Sequence, residues 1–265
     1  MGRYAIVITP ERWRVAFYSS FILLFGLCVG LTKRYVHIDD TDNPIYHVFG
    51  YTNVCINFDF PPSSYVAPGI WPFVMMCGVI YQATCMLRNW TAWKDGKLSS
   101  CEYYVLACMH VYVILSFFAF SICFAVGPTE NIVLHTLPFT AFMLALFFVA
   151  VANWYYINNV PPYLPMWKQV AGHAYIGVFS LATLAFMFLS VYLLYVDHSE
   201  MTRRVIVIVD DFWECCAIIV PPFIACISEQ WTEQIHIEWK LLPTRMGDDH
   251  EPLDNEEPAK ELATL

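Results

Sequence analysis

The chain has 265 residues, of which 58% are hydrophobic and 14% are charged. A mean hydropathy of +0.50 is far above that of a soluble domain, so the composition excludes an ordinary soluble enzyme and indicates a polytopic membrane protein. The net charge of −9 also excludes a basic nucleic-acid-binding surface, and no nucleic-acid partner is expected.

Most of the negative charge lies in the last part of the chain. Residues 228–265 hold ten acidic residues against Lys240, Arg245 and Lys260, which leaves a net charge of −2 for the rest. We therefore divide the chain into a six-span transmembrane domain, residues 1–227, and an acidic cytosolic tail, residues 228–265, that is largely disordered beyond about residue 243. The tail offers a surface for a cytosolic partner.

Six apolar segments, taken in chain order, are long enough to cross a bilayer as helices. They cover about residues 15–32, 70–87, 101–126, 134–157, 170–196 and 204–227. The predicted fold class is an all-α membrane protein, a six-transmembrane-helix bundle with a long first luminal or extracellular loop.

The distribution of Lys and Arg predicts the orientation of these segments. The N-terminus, the loop after the second segment, the loop before the fifth and the start of the tail together hold nine of these residues, whereas the alternate loops hold four. By the positive-inside rule both termini are cytosolic. The sequon Asn89-Trp90-Thr91 then lies on the cytosolic side, where it is not glycosylated.

The longest loop, residues 33–69, lies on the luminal or extracellular side in this topology. It contains four aspartates, Asp59 among them, and a segment from Cys55 to Gly69 that combines prolines, serines and aromatic residues. Such a segment fits an ordered cap over the end of the bundle, and it fits a solvated connector equally well.

The sixth segment differs from the others because it carries three acids inside its apolar run. Asp210, Asp211 and Glu214 lie on one flank of a helix. A carboxylate near the bilayer centre costs at least about 2.5 kcal/mol on insertion scales, so such residues are expected to face a bundle interior or a wet cavity. Further along, Pro221 and Pro222 predict a kink whose freed carbonyls need other partners.

Histidines on other spans lie at matching depths. His135, at the outer end of the fourth segment, is expected to pair with Asp210 or Asp211, and His110, near the middle of the third, with Glu214. We treat His135, Glu214, Asp210 and Asp211 as candidate catalytic residues, and His110 and Asn153 as candidate binding residues.

Several chemistries fit such a cluster. Carboxylates and imidazoles at matched depth suit general acid–base catalysis, a proton relay, as in a proton-coupled transporter, or the binding of a lipid headgroup. A buried network that fixes helix register without chemistry explains the same residues. No H-x-x-x-H pair or cofactor fingerprint is present, so neither a metal nor a cofactor is expected.

Four short motifs resemble the Frag/DRAM/Sfk superfamily of six-span membrane proteins. They are Leu134-His135 at the head of the fourth segment, Phe212-Trp213-Glu214 in the sixth, the Cys55–Gly69 loop, and Trp167-Lys168-Gln169 before the fifth. The last of these is similar to the branch of post-GPI-attachment factors in particular.

The resemblance implies a Golgi or endoplasmic reticulum membrane protein needed for lipid remodelling and maturation of GPI anchors. Its expected partners are a membrane lipid or GPI-anchored proteins, and its expected site is a lumen-facing polar cavity that binds a lipid headgroup. The same superfamily contains the damage-regulated autophagy modulators, which leaves a second interpretation open: a non-catalytic membrane modulator of autophagy, lipid-kinase recruitment or a channel. The motifs do not decide between an enzyme and an accessory protein.

Overall fold

A computed structural model describes residues 3–36, 44–49, 56–160, 165–195, 199–222 and 235–240. Its helices are α1 Pro10–Tyr35, α2 Pro44–Phe49, α3 Ile56–Asp59, α4 Ser63–Lys94, α5 Ser100–Phe120, α6 Ile122–Ala125, α7 Ile132–Asn159, α8 Met166–Tyr195 and α9 Glu200–Glu214. A π-helical segment, Cys215–Ile219, continues α9.

The chain divides into two compact units. The smaller one combines Met1–Val7 with His236–Leu265, and its described residues belong to a two-stranded sheet made by β1 Arg3–Ile8 and β2 Ile235–Lys240. This sheet is an element that the sequence analysis did not anticipate. The disorder expected beyond about residue 243 falls outside the described residues.

The larger unit, Ile8–Ile235, contains the helices. In the part of the chain that the structure describes, five helical stretches are long and apolar enough to cross a membrane: Pro10–Tyr35, Ser63–Lys94, Ser100–Ala125, Ile132–Asn159 and Met166–Ser190. They coincide with the first five apolar segments, so the prediction of an all-α membrane protein is confirmed. The sixth segment is helical over Glu200–Glu214 but is not among these five.

The core of the helix bundle is aromatic. Helix α1 packs on α4, α4 on α5, and α5 on α7, while α8 lies between α7 and α9. Where these helices meet, the Phe120 ring lies 4.5 Å from that of Phe142 and 4.7 Å from that of Trp71. Ring pairs of this kind contribute about 0.5–1.5 kcal/mol each beyond the area they bury.

Close packing also depends on a glycine in α4. A β-carbon built on Gly78 would lie 2.5 Å from the Phe117 ring of α5. The absence of a side chain at this position therefore lets the two helices approach, as small residues do in membrane bundles.

The π-helical segment follows from the two prolines that come after it. The Val220 N–H donates to the Cys215 carbonyl, five residues back. Pro221 has no N–H, so the Cys216 carbonyl receives no bond from the position that would continue this pattern. The Tyr175 hydroxyl of α8 donates to that carbonyl at 2.9 Å instead. The prediction that freed carbonyls find other partners is thus confirmed for Cys216.

Residues 56–62, between α1 and α4, lie against one end of the bundle. Phe58 is buried, and its ring packs edge-on against those of Phe25 and Phe124. Thr32, near the end of α1, donates to the Asn57 carbonyl at 3.0 Å and lies 2.9 Å from the Ser63 hydroxyl. We call residues 56–62 the cap. Of the two alternatives for this segment, its described part behaves as a cap rather than as a solvated connector.

Candidate functional site

Two layers of buried polar side chains lie at opposite ends of the bundle. His135 and Asn153 are 18 residues apart on α7, as are Arg14 and Thr32 on α1, which separates the layers by about 27 Å at 1.5 Å per residue. This distance is close to the thickness of the hydrocarbon core of a bilayer. In a bundle that crosses a bilayer, layers at this separation fall near the two membrane boundaries, and the aromatic core fills the space between them.

The first layer is built on a pair formed by His135 of α7 and Asp59 of α3. The His135 Nε2 atom lies 3.4 Å from the Asp59 Oδ1 atom, and their side chains are 5% and 6% exposed. On the other side of the ring, Nδ1 donates to the Val126 carbonyl at 2.9 Å, because a carbonyl can only accept. The second carboxylate oxygen, Oδ2, is buried without a hydrogen-bond partner among the described residues.

An attractive contact between the facing atoms of this pair needs a proton. With Nδ1 already protonated, a neutral imidazole presents a lone pair at Nε2, which repels a carboxylate. An attractive contact forms when the proton sits either on Nε2 or on the Asp59 carboxyl. Burial raises the pKa of Asp59 from 3.8 to about 6, and the neighbouring His135 opposes this rise only in part. Protonation of the Asp59 carboxyl therefore supplies the proton that this contact needs.

The three acids of α9 occupy three different environments. Asp210 is 4% exposed and its Oδ1 atom has no hydrogen-bond partner among the described residues. Glu214 is half-buried, whereas Asp211 is exposed beside Phe212 on the outer face of the helix. The expectation that all three acids face the interior is therefore wrong for Asp211, because the turn of the helix carries it past the edge of the packed face.

The partners expected for these acids also differ from those observed. The ring nitrogens of His135 contact Asp59 and the Val126 carbonyl, not Asp210 or Asp211. The ring nitrogens of His110 are bonded to Gln82 and Asn89, not to Glu214. Matched depth therefore did not predict these contacts, because the imidazoles bond to groups of α4, of the cap and of the turn before α7.

Glu214 instead borders an aromatic cavity. The cavity measures about 20 Å³, enough for one water-sized guest. A second cavity of about 10 Å³ reaches His135, and the two share Phe58, Phe120 and Phe139 as walls. One of these shared walls, Phe58, is supplied by the cap.

A cysteine lies next to the same pair, without being positioned as a nucleophile. Cys123 lines the second cavity, but its thiol donates to the backbone carbonyl of His135 at 3.0 Å and not to the imidazole. A Cys-His dyad requires the thiol within reach of a free ring nitrogen, and both nitrogens of His135 are engaged. The described arrangement therefore supports proton exchange and polar binding better than covalent catalysis.

The second layer lies at the opposite end of the bundle, and its centre is His110. Nδ1 lies 2.7 Å from the Gln82 carbonyl oxygen, and Nε2 lies 3.1 Å from the Asn89 amide nitrogen. One nitrogen donates and the other accepts, so these bonds select a neutral imidazole. Gln82 thus forms a helix-to-helix hydrogen bond between α4 and α5. Asn89, the sequon residue, is 1% exposed.

Asn153 belongs to this layer too. Its Oδ1 atom accepts hydrogen bonds from Arg88 at 3.2 Å and from the Cys85 thiol, and its amide donates to the Val149 carbonyl. The Arg88 guanidinium stacks 3.7 Å from the centre of the Tyr156 ring. A buried ion pair, Glu11 with Arg14 at 2.7 Å, completes the layer.

The sequence analysis identified His110, His135 and Asn153 but missed Asp59, Arg88 and the Glu11–Arg14 pair as site residues. The spacing of Glu11 and Arg14, three apart at the start of an apolar helix, is a local signal for a self-paired charge. Asp59 carries a weaker signal, because an acid flanked by Phe58 and Phe60 before two prolines fits a folded segment. Over the described ranges, no three His, Cys, Asp or Glu side chains converge as metal ligands would.

Comparison with known proteins adds no family assignment: no family model, curated protein or solved structure matches this chain.

Proposed function

We propose that this chain is a six-span protein of the Golgi or endoplasmic reticulum membrane that takes part in the lipid remodelling and maturation of GPI anchors. In this proposal both termini are cytosolic, and the cap and the Asp59–His135 pair face the lumen. Residues 204–227 form the sixth span, beginning in α9 and continuing through the π-helical segment. The positive-inside count supports the orientation, and the four motifs that resemble the Frag/DRAM/Sfk superfamily support the process.

One structural observation supports a specific site for this function. The cap places the buried Asp59 against His135, which borders one aromatic cavity, and this cavity shares three phenylalanine walls with a second cavity that Glu214 borders. Apolar walls with polar groups at both ends match an amphipathic molecule, whose headgroup bonds to the pair while its apolar part lies among the rings. The proposed ligand is accordingly a membrane lipid or the lipid part of a GPI-anchored protein.

Access for such a ligand requires the cap to move. Cavities of about 20 Å³ and 10 Å³ accommodate water-sized guests only. Displacing Phe58 removes a wall that both cavities share, and it exposes the Asp59–His135 pair at the same time. In this proposal the pair is both a binding group and the attachment point of the cap.

The proposal is tested by deleting the gene in cells that express GPI-anchored proteins and restoring it with variants. We expect deletion to change the surface level of these proteins and the lipid composition of their anchors, measured by flow cytometry and mass spectrometry. Wild type and Asp95→Asn, a change at an exposed carboxylate of the α4–α5 loop, restore both readouts. Asp59→Asn and His135→Gln fail to do so at equal expression. Unchanged anchors after deletion would overturn the proposal.

A second candidate function, a non-catalytic membrane modulator, is favoured by the position of Cys123. Its bond to a backbone carbonyl leaves no nucleophile–base contact beside His135 in the described structure. This candidate places function in the acidic tail, so removing the tail abolishes it while the bundle stays intact. The chain is best truncated after Lys240, because truncation at about Glu233 also removes β2, the strand that pairs with β1.

A further inference from the structure

The carboxyl group of Glu214 has no partner among the residues that the structure describes. No ion pair or hydrogen bond joins it to another described side chain. The two arginines of the same helix are bonded elsewhere, since Arg203 donates to the Tyr46 hydroxyl and Arg204 pairs with Glu200. Acids inside a membrane span normally pair with another group or face a cavity, and Glu214 borders a cavity.

A second acid lies one helical turn from Glu214. Asp210 precedes it by four residues, so both side chains lie on one flank of α9, about 6 Å apart along the helix axis. Asp210 is 4% exposed, and its Oδ1 atom has no hydrogen-bond partner in the described part of the chain. A buried carboxyl oxygen without a donor is unfavourable. The two acids together therefore favour a group that carries both positive charge and hydrogen-bond donors.

The cavity that Glu214 borders is lined mainly by aromatic rings. Phe21 and Phe25 of α1, Phe142 of α7 and Trp213 of α9 are among them, and Glu214 is the only charged residue among the described residues that line it. The faces of aromatic rings attract cations, and aromatic cages of this kind recognise ammonium ligands. A carboxylate and the ring faces both repel an anion. The walls of the cavity therefore favour an organic cation.

The size and shape of the cavity decide which cation fits. A volume of about 20 Å³ holds one water-sized group, which matches the –NH₃⁺ group of a primary amine, whereas the trimethylammonium group of choline is too large. A bare metal ion needs several oxygen ligands, and the walls are mostly apolar. The cavity is also partly open, as binding of a group tethered to a larger molecule requires.

We propose that Glu214 and the aromatic rings around it form a binding site for a primary ammonium group. The carboxylate accepts from the N–H donors, the rings enclose the charge, and Asp210 adds negative charge from the preceding turn of α9. The molecule that carries the ammonium is the membrane lipid of the proposed function, so the carrier, but not the ammonium site, rests on that proposal. An ethanolamine headgroup has the required group, and a choline headgroup lacks it.

The experiment uses the full-length protein purified in detergent. Thermal unfolding is measured as phosphatidylethanolamine, its N-acetyl derivative or phosphatidylcholine, all with the same acyl chains, is added to the micelles. We expect phosphatidylethanolamine to raise the melting temperature along a saturable curve, as ligand linkage requires, and the other two lipids to need at least about tenfold higher concentrations. Glu214→Gln removes this preference. Glu200→Gln, the same change at a residue of α9 that is 78% exposed, keeps it.

Cross-linking of the wild type gives a readout that depends on no variant. Dicyclohexylcarbodiimide activates a carboxyl group, and an amine in contact with it displaces the urea and forms an amide. We expect phosphatidylethanolamine to be linked to Glu214, as mapped by mass spectrometry of peptides. Adducts at the exposed Asp211 without any at Glu214 would overturn the ammonium site.

The lipid series separates this inference from the proposed function. Equal stabilisation by the three lipids would overturn the ammonium site and leave lipid binding in place. A rise in melting temperature with soluble phosphoethanolamine, but with none of the lipids, would support the ammonium site and remove the lipid as its carrier.

Discussion

Docking of the cap is expected to strengthen as the pH falls from 7.5 to 5, and the size of this change follows from the pKa of Asp59. This carboxyl has its ordinary pKa of 3.8 when the cap is undocked and a pKa of about 6 when docked. The docked form therefore holds a proton on Asp59 that the undocked form releases. This bound proton stabilises docking below about pH 6, and the stabilisation is lost as the pH rises through about 6. Between pH 7.5 and pH 5 the docking equilibrium changes about tenfold, or about 1.4 kcal/mol.

Hydrogen–deuterium exchange of peptides that cover residues 56–66 measures this change, after correction for the intrinsic effect of pH on exchange. We expect about tenfold stronger protection at pH 5 than at pH 7.5. Asp59→Asn, which is neutral at every pH, removes the dependence and gives strong protection throughout, whereas Asp95→Asn keeps it. If protection is independent of pH in the wild type, or stronger at pH 7.5, the assignment of Asp59 as a buried titrating group is wrong.

Two further predictions concern packing in α8. A β-carbon at Gly172 would collide with the Trp154 ring, so Gly172→Ala is expected to lower the stability of the protein by about 1–3 kcal/mol. A β-carbon at Gly177 meets nothing within 4 Å, so Gly177→Ala is expected to have little effect. Thermal unfolding of both variants tests this difference, and equal melting temperatures would contradict it. Tyr175→Phe leaves a buried carbonyl beside the π-helical segment without its donor. We expect a cost of about 1–3 kcal/mol, measured against the exposed control Tyr104→Phe, and a variant as stable as this control would show that the carbonyl finds another donor.

The sequence predicted the helices well because their signal is local. A run of about 20 apolar residues is a property of the segment itself, and five such runs appear as helices where expected. The free carbonyl near Pro221 could be predicted equally well, because a missing N–H leaves a carbonyl without its backbone donor whatever surrounds it. The sixth segment is harder because its described helix α9 covers only Glu200–Glu214 and carries Asp210, Asp211 and Glu214, so length and composition do not identify it as a span in the way they identify the other five.

The contacts of the candidate site were less accessible. Depth along a helix is readable from the sequence, but it does not give the rotation of the helix or the position of a loop. The prediction therefore paired His135 with an acid of α9, whereas its partner in the structure is Asp59 of the cap. Asp211 was placed inward for the same reason, although it follows Asp210 by one residue and lies about 100° further around the helix.

The burial of Asn89 changes how the orientation of this protein has to be measured. Since this amide is enclosed by the bundle and bonded to His110, a glycosyltransferase reaches it only before α4 and α5 have packed. Sugar attached there would accordingly report a chain that failed to assemble, whichever way it crosses the bilayer. A sequon engineered into the exposed turn before α7 is a sounder reporter of which face meets the lumen.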